Sequence, residues 1–170
     1  VNLGVIPGRL NSTRFPKKIV YQLNGKSVIQ HVYDNAKEST LLNHLVIAID
    51  SIETLSHLNK ECDTVLTSKG HESGTDRVAE VAGKIKCNIV VNIQGDEPAL
   101  DPDMPRKLVE PFTDQDIKVP TLARIIDADQ ADNPDRVKVV RSQKGFALYF
   151  SRSKIPHIRD TERSQADYLL

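Results

Sequence analysis

The chain has 170 residues, 39% of them apolar, and its 23 Lys+Arg balance 23 Asp+Glu to a formal net charge of zero. That is enough apolar material for one domain with a core. The even charge excludes the basic excess behind general affinity for nucleic acid or anionic membrane, while leaving room for a local basic pocket.

Leu3 to Ile6 is an apolar run stopped by Pro7, which reads as a first buried strand. A cationic loop follows, Gly8-Arg9-Leu10-Asn11-Ser12-Thr13-Arg14-Phe15-Pro16-Lys17-Lys18. Asn24-Gly25 marks a turn. Ser27 and Gln30 have capping-box spacing for a helix through Val28, Ile29, Val32, Tyr33 and Ala36. Leu45 to Ile49, ending at Asp50, reads as a second buried strand, Ile52 to Leu58 as a short helix, and Thr64 to Leu66 as a third strand. Thr75 to Ile85 places Val78, Val81, Ala82 and Ile85 at i, i+3, i+4, i+7, the pattern of an amphipathic helix. Ile89 to Ile93 is the fourth strand and ends on Gln94-Gly95-Asp96-Glu97-Pro98.

The remainder is less regular. Pro102 to Val109 suits a helix and Val119 to Ile126 a strand, while Val137–Val140 and Phe146–Phe150 read as a β pair around Gln143-Lys144-Gly145. Near-continuous apolar strands alternating with amphipathic helices predict an α/β domain with a mostly parallel, doubly covered sheet. Cys62 and Cys87 fit no metal or redox spacing. No apolar run approaches the roughly 18–20 residues of a membrane span, and no leader pattern opens the chain, so a cytoplasmic location is expected. Starting at Val1 suggests a processed or incompletely represented N-terminus, and ending on Tyr168-Leu169-Leu170 suggests an element cut short.

Two segments carry chemistry. Four cations, Arg9, Arg14, Lys17 and Lys18, in one loop after a strand can meet a polyphosphate. A solvated basic loop is the plain alternative. Asp96, at the carboxyl end of a central strand, stands where open parallel sheets place ligands and can bind Mg²⁺; a turn residue after Gly95 is the alternative. Ser73 or Thr75 can also simply cap the helix they open. The first loop has one glycine and no Gly-x-Gly-x-x-Gly, which disfavours a dinucleotide-binding dehydrogenase. His31 sits mid-helix among apolar neighbours and reads as structural.

The motifs resemble one family along essentially the whole chain, the 3-deoxy-manno-octulosonate (Kdo) cytidylyltransferases. The likeness rests on Ile6-Pro7-Gly8-Arg9, Ser12-Thr13-Arg14-Phe15-Pro16 and Lys18, and on Ile29-Gln30-His31-Val32-Tyr33. It continues in His71-Glu72-Ser73-Gly74-Thr75-Asp76-Arg77, Val91-Asn92-Ile93-Gln94-Gly95-Asp96-Glu97-Pro98, Asn133-Pro134, Val137-Lys138-Val139-Val140 and Ala147-Leu148-Tyr149-Phe150-Ser151-Arg152.

The resemblance implies a nucleotide-diphospho-sugar transferase-like, Rossmann-like fold and cytidylyl transfer from CTP to Kdo, giving CMP-Kdo and pyrophosphate for lipopolysaccharide biosynthesis. It implies Arg9, Arg14 and Lys18 as the catalytic cations around the phosphates. Ser73, Gly74 and Thr75 would admit and read the cytosine. Gln94 would hydrogen-bond the sugar acid, Arg152 would pair with its carboxylate, and Asp96 would ligate Mg²⁺. A structural amide is the competing assignment for Gln94, and a surface salt bridge for Arg152. Within one domain over 1–170, about 1–110 would bind the nucleotide and about 111–170 would serve sugar binding and homodimerisation. The family pattern has Ala at Gly8 and Gly at Lys17, and members continue well past Leu170, with a sugar-binding histidine, dimer contacts and a second metal aspartate in that tail. The C-terminal part therefore looks incomplete. Two alternatives stay open: CMP-activation of a related acidic sugar, 8-amino-Kdo or an acylneuraminate, and a truncated non-catalytic nucleotide-binding relative.

Overall fold

A computed structural model describes residues 1–10, 16–157 and 168–169. The chain divides into two compact units, Val1–Pro120 and Thr121–Leu170.

The first unit is built on four parallel strands in the spatial order Thr64–Leu66, His44–Ile49, Asn2–Gly8, Ile89–Asn92. Strand β1 spans Asn2–Gly8. After it come a 3₁₀ turn at Lys18–Val20 and a small hairpin of β2 (Gln22–Leu23) and β3 (Lys26–Ser27). Helix α1 (Val28–Lys37) begins where Ser27 accepts the Gln30 N–H. Strand β4 (His44–Ile49) precedes a 3₁₀ helix at Ile52–His57 and strand β5 (Thr64–Leu66). Helix α2 (Gly74–Lys84), strand β6 (Ile89–Asn92) and helix α3 (Met104–Val109) complete the order.

Both faces of the sheet are covered, and the period-2 alternation of a strand sorts side chains between them. Ile6, Leu45, Ile47 and Ile49 pack with Ile29, Val32, Tyr33 and Ala36 of α1. Leu3, Val5, Val46 and Ala48 pack with Val78 and Val81 of α2. Each fully buried Ile, Leu or Val contributes about 1.5–3 kcal/mol by leaving water, so these two layers hold in place the strands whose ends carry the site.

The second unit contains β7 (Ile125–Ile126), α4 (Ala128–Ala131), the antiparallel pair β8 (Lys138–Arg141) and β9 (Ala147–Ser151), and β10 (Tyr168–Leu169), which pairs with β7. The strand expected over Val119–Ile126 shrinks to Ile125–Ile126. Pro120 has no N–H for a ladder, and Val119 is 89% exposed, without the burial that would favour a strand. The helix expected at Ile52 is 3₁₀ rather than α. Among the described residues no helix is long and apolar enough to cross a membrane.

Candidate active site

The carboxyl ends of β1 and β6 open into a groove of about 190 Å³. Pro7 and Arg9 enter from β1, Lys18 and Ile19 from the 3₁₀ turn, Ser73, Gly74 and Arg77 from the start of α2, and Gln94, Gly95 and Asp96 from the loop after β6.

The β6 loop can lie this close only because residue 95 is glycine. A Cβ there would stand 2.7 Å from the Pro7 carbonyl oxygen. The loop is held further by Asn35, which donates to Pro98 O at 2.9 Å, and by the Glu97 N–H on Gln94 O at 3.4 Å. Asp96 and Lys18 face each other across the groove, Nζ to Oδ2 at 2.7 Å, with side chains 44% and 47% exposed. Such an exposed pair contributes little stability, so both groups can exchange partners at little energetic cost. Among the described residues, the Gln94 side chain donates to Asn92 Oδ1 at a long 3.4 Å.

The other wall is the N-terminus of α2. Ser73 caps it through a reciprocal capping box: its hydroxyl accepts the Asp76 N–H at 3.1 Å and its own N–H donates to Asp76 Oδ2 at 3.0 Å. Bonds from the Ser73 hydroxyl and then its amide hold the Asp76 carboxyl below its ordinary pKa. Beneath, Glu80 fastens the preceding loop by accepting from Lys84 at 2.6 Å, the Ser68 N–H at 2.9 Å and His71 at 2.5 Å. Lys84 first, then Ser68 and His71, draw its pKa down to about 2.

Of the residues expected from the sequence, Arg9, Lys18, Ser73, Gly74, Gln94 and Asp96 meet in this groove. Thr75 is exposed in the first turn of α2 and does not line it. Arg14 lies outside the described residues. Arg152 belongs to the second unit, where it follows β9 and donates to Pro134 O at 3.0 Å. The backbone around it is gathered by Lys138, which is fully buried and donates to Arg152 O, Arg136 O and Asn133 O at 2.5, 2.6 and 3.1 Å. Lys17 points away, pairing with Glu53 at 2.6 Å, and adopts φ 58°, the left-handed conformation that suits glycine. Pro7, Ile19 and Arg77 also line the groove, beyond the residues expected from the sequence. For Arg77 a signal existed: with Val78 and Val81 it falls on the inward face of α2, where a charge needs a buried partner.

The arrangement joins two exposed cations, a carboxylate and an open helix N-terminus at the carboxyl edge of a parallel sheet. Such a site can bind a phosphorylated ligand together with a cation.

Known proteins resemble this chain in sequence and in fold. The cytidylyltransferase family model matches residues 3–169. The 3-deoxy-manno-octulosonate cytidylyltransferase of Nitratidesulfovibrio vulgaris is 45% identical over 163 residues, covering 92% of this chain and 64% of the relative. That of Lawsonia intracellularis is 46% identical over 163 residues, covering 94% and 64%. The chain thus spans 64% of the length of these relatives. A solved structure of CMP:2-keto-3-deoxy-manno-octonic acid synthetase complexed with CTP superposes with a TM-score of 0.91 at 38% identity, covering 99% of this chain and 70% of that one. By sequence and by fold, the chain belongs to the cytidylyltransferase family.

Proposed function

We propose that the groove binds CTP with Mg²⁺, and that in the full-length protein it transfers the cytidylyl group to Kdo, yielding CMP-Kdo and pyrophosphate for lipopolysaccharide biosynthesis. The observation that carries this reading is the convergence of Arg9, Lys18 and Asp96 in one groove beside the capped start of α2. The names of the relatives and of the CTP-bound neighbour support it.

The donor set suits the cation. Asp96 offers a hard carboxylate oxygen on an open wall of the groove. Mg²⁺ commonly takes one or two carboxylates and completes its shell with phosphate and water. When bound, it offsets phosphate charge and eases departure of pyrophosphate. Arg9 and Lys18, joined by Arg14, hold the phosphates and stabilise the charge that builds on them as the sugar hydroxyl attacks the α-phosphorus. Lys18 and Asp96, already 2.7 Å apart, present both counter-charges that a phosphate–cation pair requires. Ser73 and Gly74, which line the groove, form the edge against which the cytosine is read. Gln94, with its side chain at the groove, hydrogen-bonds the sugar acid. A cytoplasmic homodimer is part of the same reading.

The test is pyrophosphate release from CTP and Kdo by the full-length protein. Asp96→Asn should abolish Mg²⁺-dependent turnover with an unchanged circular dichroism spectrum. Near-normal turnover would remove Asp96 from the metal site, and preference for 8-amino-Kdo or an acylneuraminate in a parallel panel would reassign the acceptor.

A further inference from the structure

Behind the groove lies a buried ionic network that none of these roles uses. Arg77 is 1% exposed. Its Nη1 donates to Thr67 Oγ1 and, at 3.1 Å, to Ser68 O, just past the end of β5. Its Nη2 lies 3.6 Å from Asp50 Oδ2, just past the end of β4. The other carboxylate oxygen, Asp50 Oδ1, accepts the Leu10 N–H at 3.1 Å. Leu10 O in turn accepts the Lys17 N–H at 3.0 Å. Leu10 is therefore the stem at which the cationic loop leaves the sheet and to which it returns.

Stability explains this network poorly. Desolvating two charges costs several kcal/mol each, and packed apolar residues serve as well or better in such places. Geometry explains it better. Arg77 lies one turn beyond Ser73 and Gly74, while Leu10 directly follows Arg9. The network ties the two walls of the groove together through a single carboxylate with both oxygens committed. We propose that Asp50 and Arg77 are positioning residues: Arg77 orients Asp50, and Asp50 fixes the Leu10 amide so that Arg9 and Lys18 stay presented to the phosphates. The identity of the ligand rests on the reading above, but the fixing of Leu10 does not.

Asp50→Asn is nearly isosteric yet offers one acceptor oxygen where two are needed, so its amide must face either the guanidinium or the Leu10 N–H, both donors. With the purified chain, Mg²⁺ and calorimetry, Asp50→Asn should weaken CTP binding at least about tenfold and CMP binding less than about threefold, because the loop acts on phosphate charge. Thr67→Val removes an acceptor from Arg77 while leaving Asp50 on Leu10. It should keep the CTP-to-CMP affinity ratio within about twofold of the parent chain, since that contact lies outside the Asp50–Leu10 link. Equal losses for both nucleotides in Asp50→Asn, or an equal change of ratio in Thr67→Val, would overturn the proposal. Amide exchange reads the same claim without ligand. The Leu10 N–H should exchange about as slowly as that of Ile47, which bonds to Asp63 O beside β4, and at least about tenfold faster relative to it in Asp50→Asn. If Asp50→Asn does not fold, the parent chain decides: a Leu10 amide exchanging at the rate of an exposed loop overturns the proposal. A parent chain that protects Leu10 but fails to bind CTP would sink the functional reading and leave the positioning role intact.

Discussion

Gly95 sets how closely β1 and the β6 loop approach, and alanine there tests that closeness directly. The added Cβ would stand 2.7 Å from Pro7 O and 3.4 Å from Ile6 Cγ2. Carbon and carbonyl oxygen settle at about 3.3–3.6 Å, so the backbone must open by about 0.6 Å or more. The oxygen belongs to main chain inside the sheet and cannot swing aside as a side-chain tip could. Overpacking of this kind costs about 1–3 kcal/mol, while the stiffer unfolded chain returns about 0.4–1 kcal/mol. The net expectation is a loss of about 1–2 kcal/mol, several degrees in Tm for a chain of this size. Because Gly95 lies between Gln94 and Asp96, CTP affinity should fall with it. Gly83→Ala is the matched control: near the end of α2, with nothing within 4 Å of the added carbon, it should gain about 0.5–1 kcal/mol from helix propensity. Urea midpoints and melting curves for both variants supply the readout. A Gly95→Ala protein as stable as its parent would refute the argument, and a destabilised Gly83→Ala would show that the control position is misjudged.

Two further outcomes follow from the same surroundings. Lys17→Gly removes a left-handed non-glycine residue, φ 58°, worth about 1–2 kcal/mol of strain, and forfeits only an exposed, solvent-screened ion pair with Glu53. The urea midpoint should rise by the equivalent of up to about 1 kcal/mol, and a fall would give the Glu53 pair the larger role. Glu80, with its pKa drawn to about 2 from an ordinary 4.5, favours the folded state at pH above its ordinary value, and that contribution fades as pH falls through its folded value, because the unfolded chain takes up the proton first. The stability gap between the parent and Glu80→Gln should therefore shrink from pH 5 to pH 2, and a gap independent of pH would contradict the assigned contacts.

The sheet was legible because β1 and β4 are apolar on both faces, as a doubly covered parallel strand must be, and their alternation assigns each side chain to α1 or α2. The helix starts were half legible. Ser27 does cap α1, but the Gln30 side chain turns inward to the Asn59 N–H, Cys62 and Asp34 instead of closing the box. The reciprocal box forms at Ser73 and Asp76, where aspartate stands in for the usual Glu or Gln. The charged motifs pointed to the groove because charge clustered beside strand ends is unusual in an even-charged chain. The inward place of Arg77 was readable from its spacing to Val81, but its partner was not: a carboxylate after a strand ordinarily faces solvent, and only the fold brings Asp50 to the buried guanidinium. Gly95 carried no sign of its close approach to Pro7, which depends on a contact between segments far apart in sequence.

Binding of CTP in the groove at the ends of β1 and β6 is open to direct test. The most direct measurement is a titration of the ¹⁵N-labelled chain with Mg²⁺ and CTP, followed by amide shifts. The account predicts saturable shifts concentrated on Arg9, Leu10, Lys18, Ser73, Gly74, Gln94, Gly95 and Asp96, and a much smaller response in Asp96→Asn. Shifts concentrated elsewhere on the chain, or no saturable shift at millimolar CTP, would contradict it.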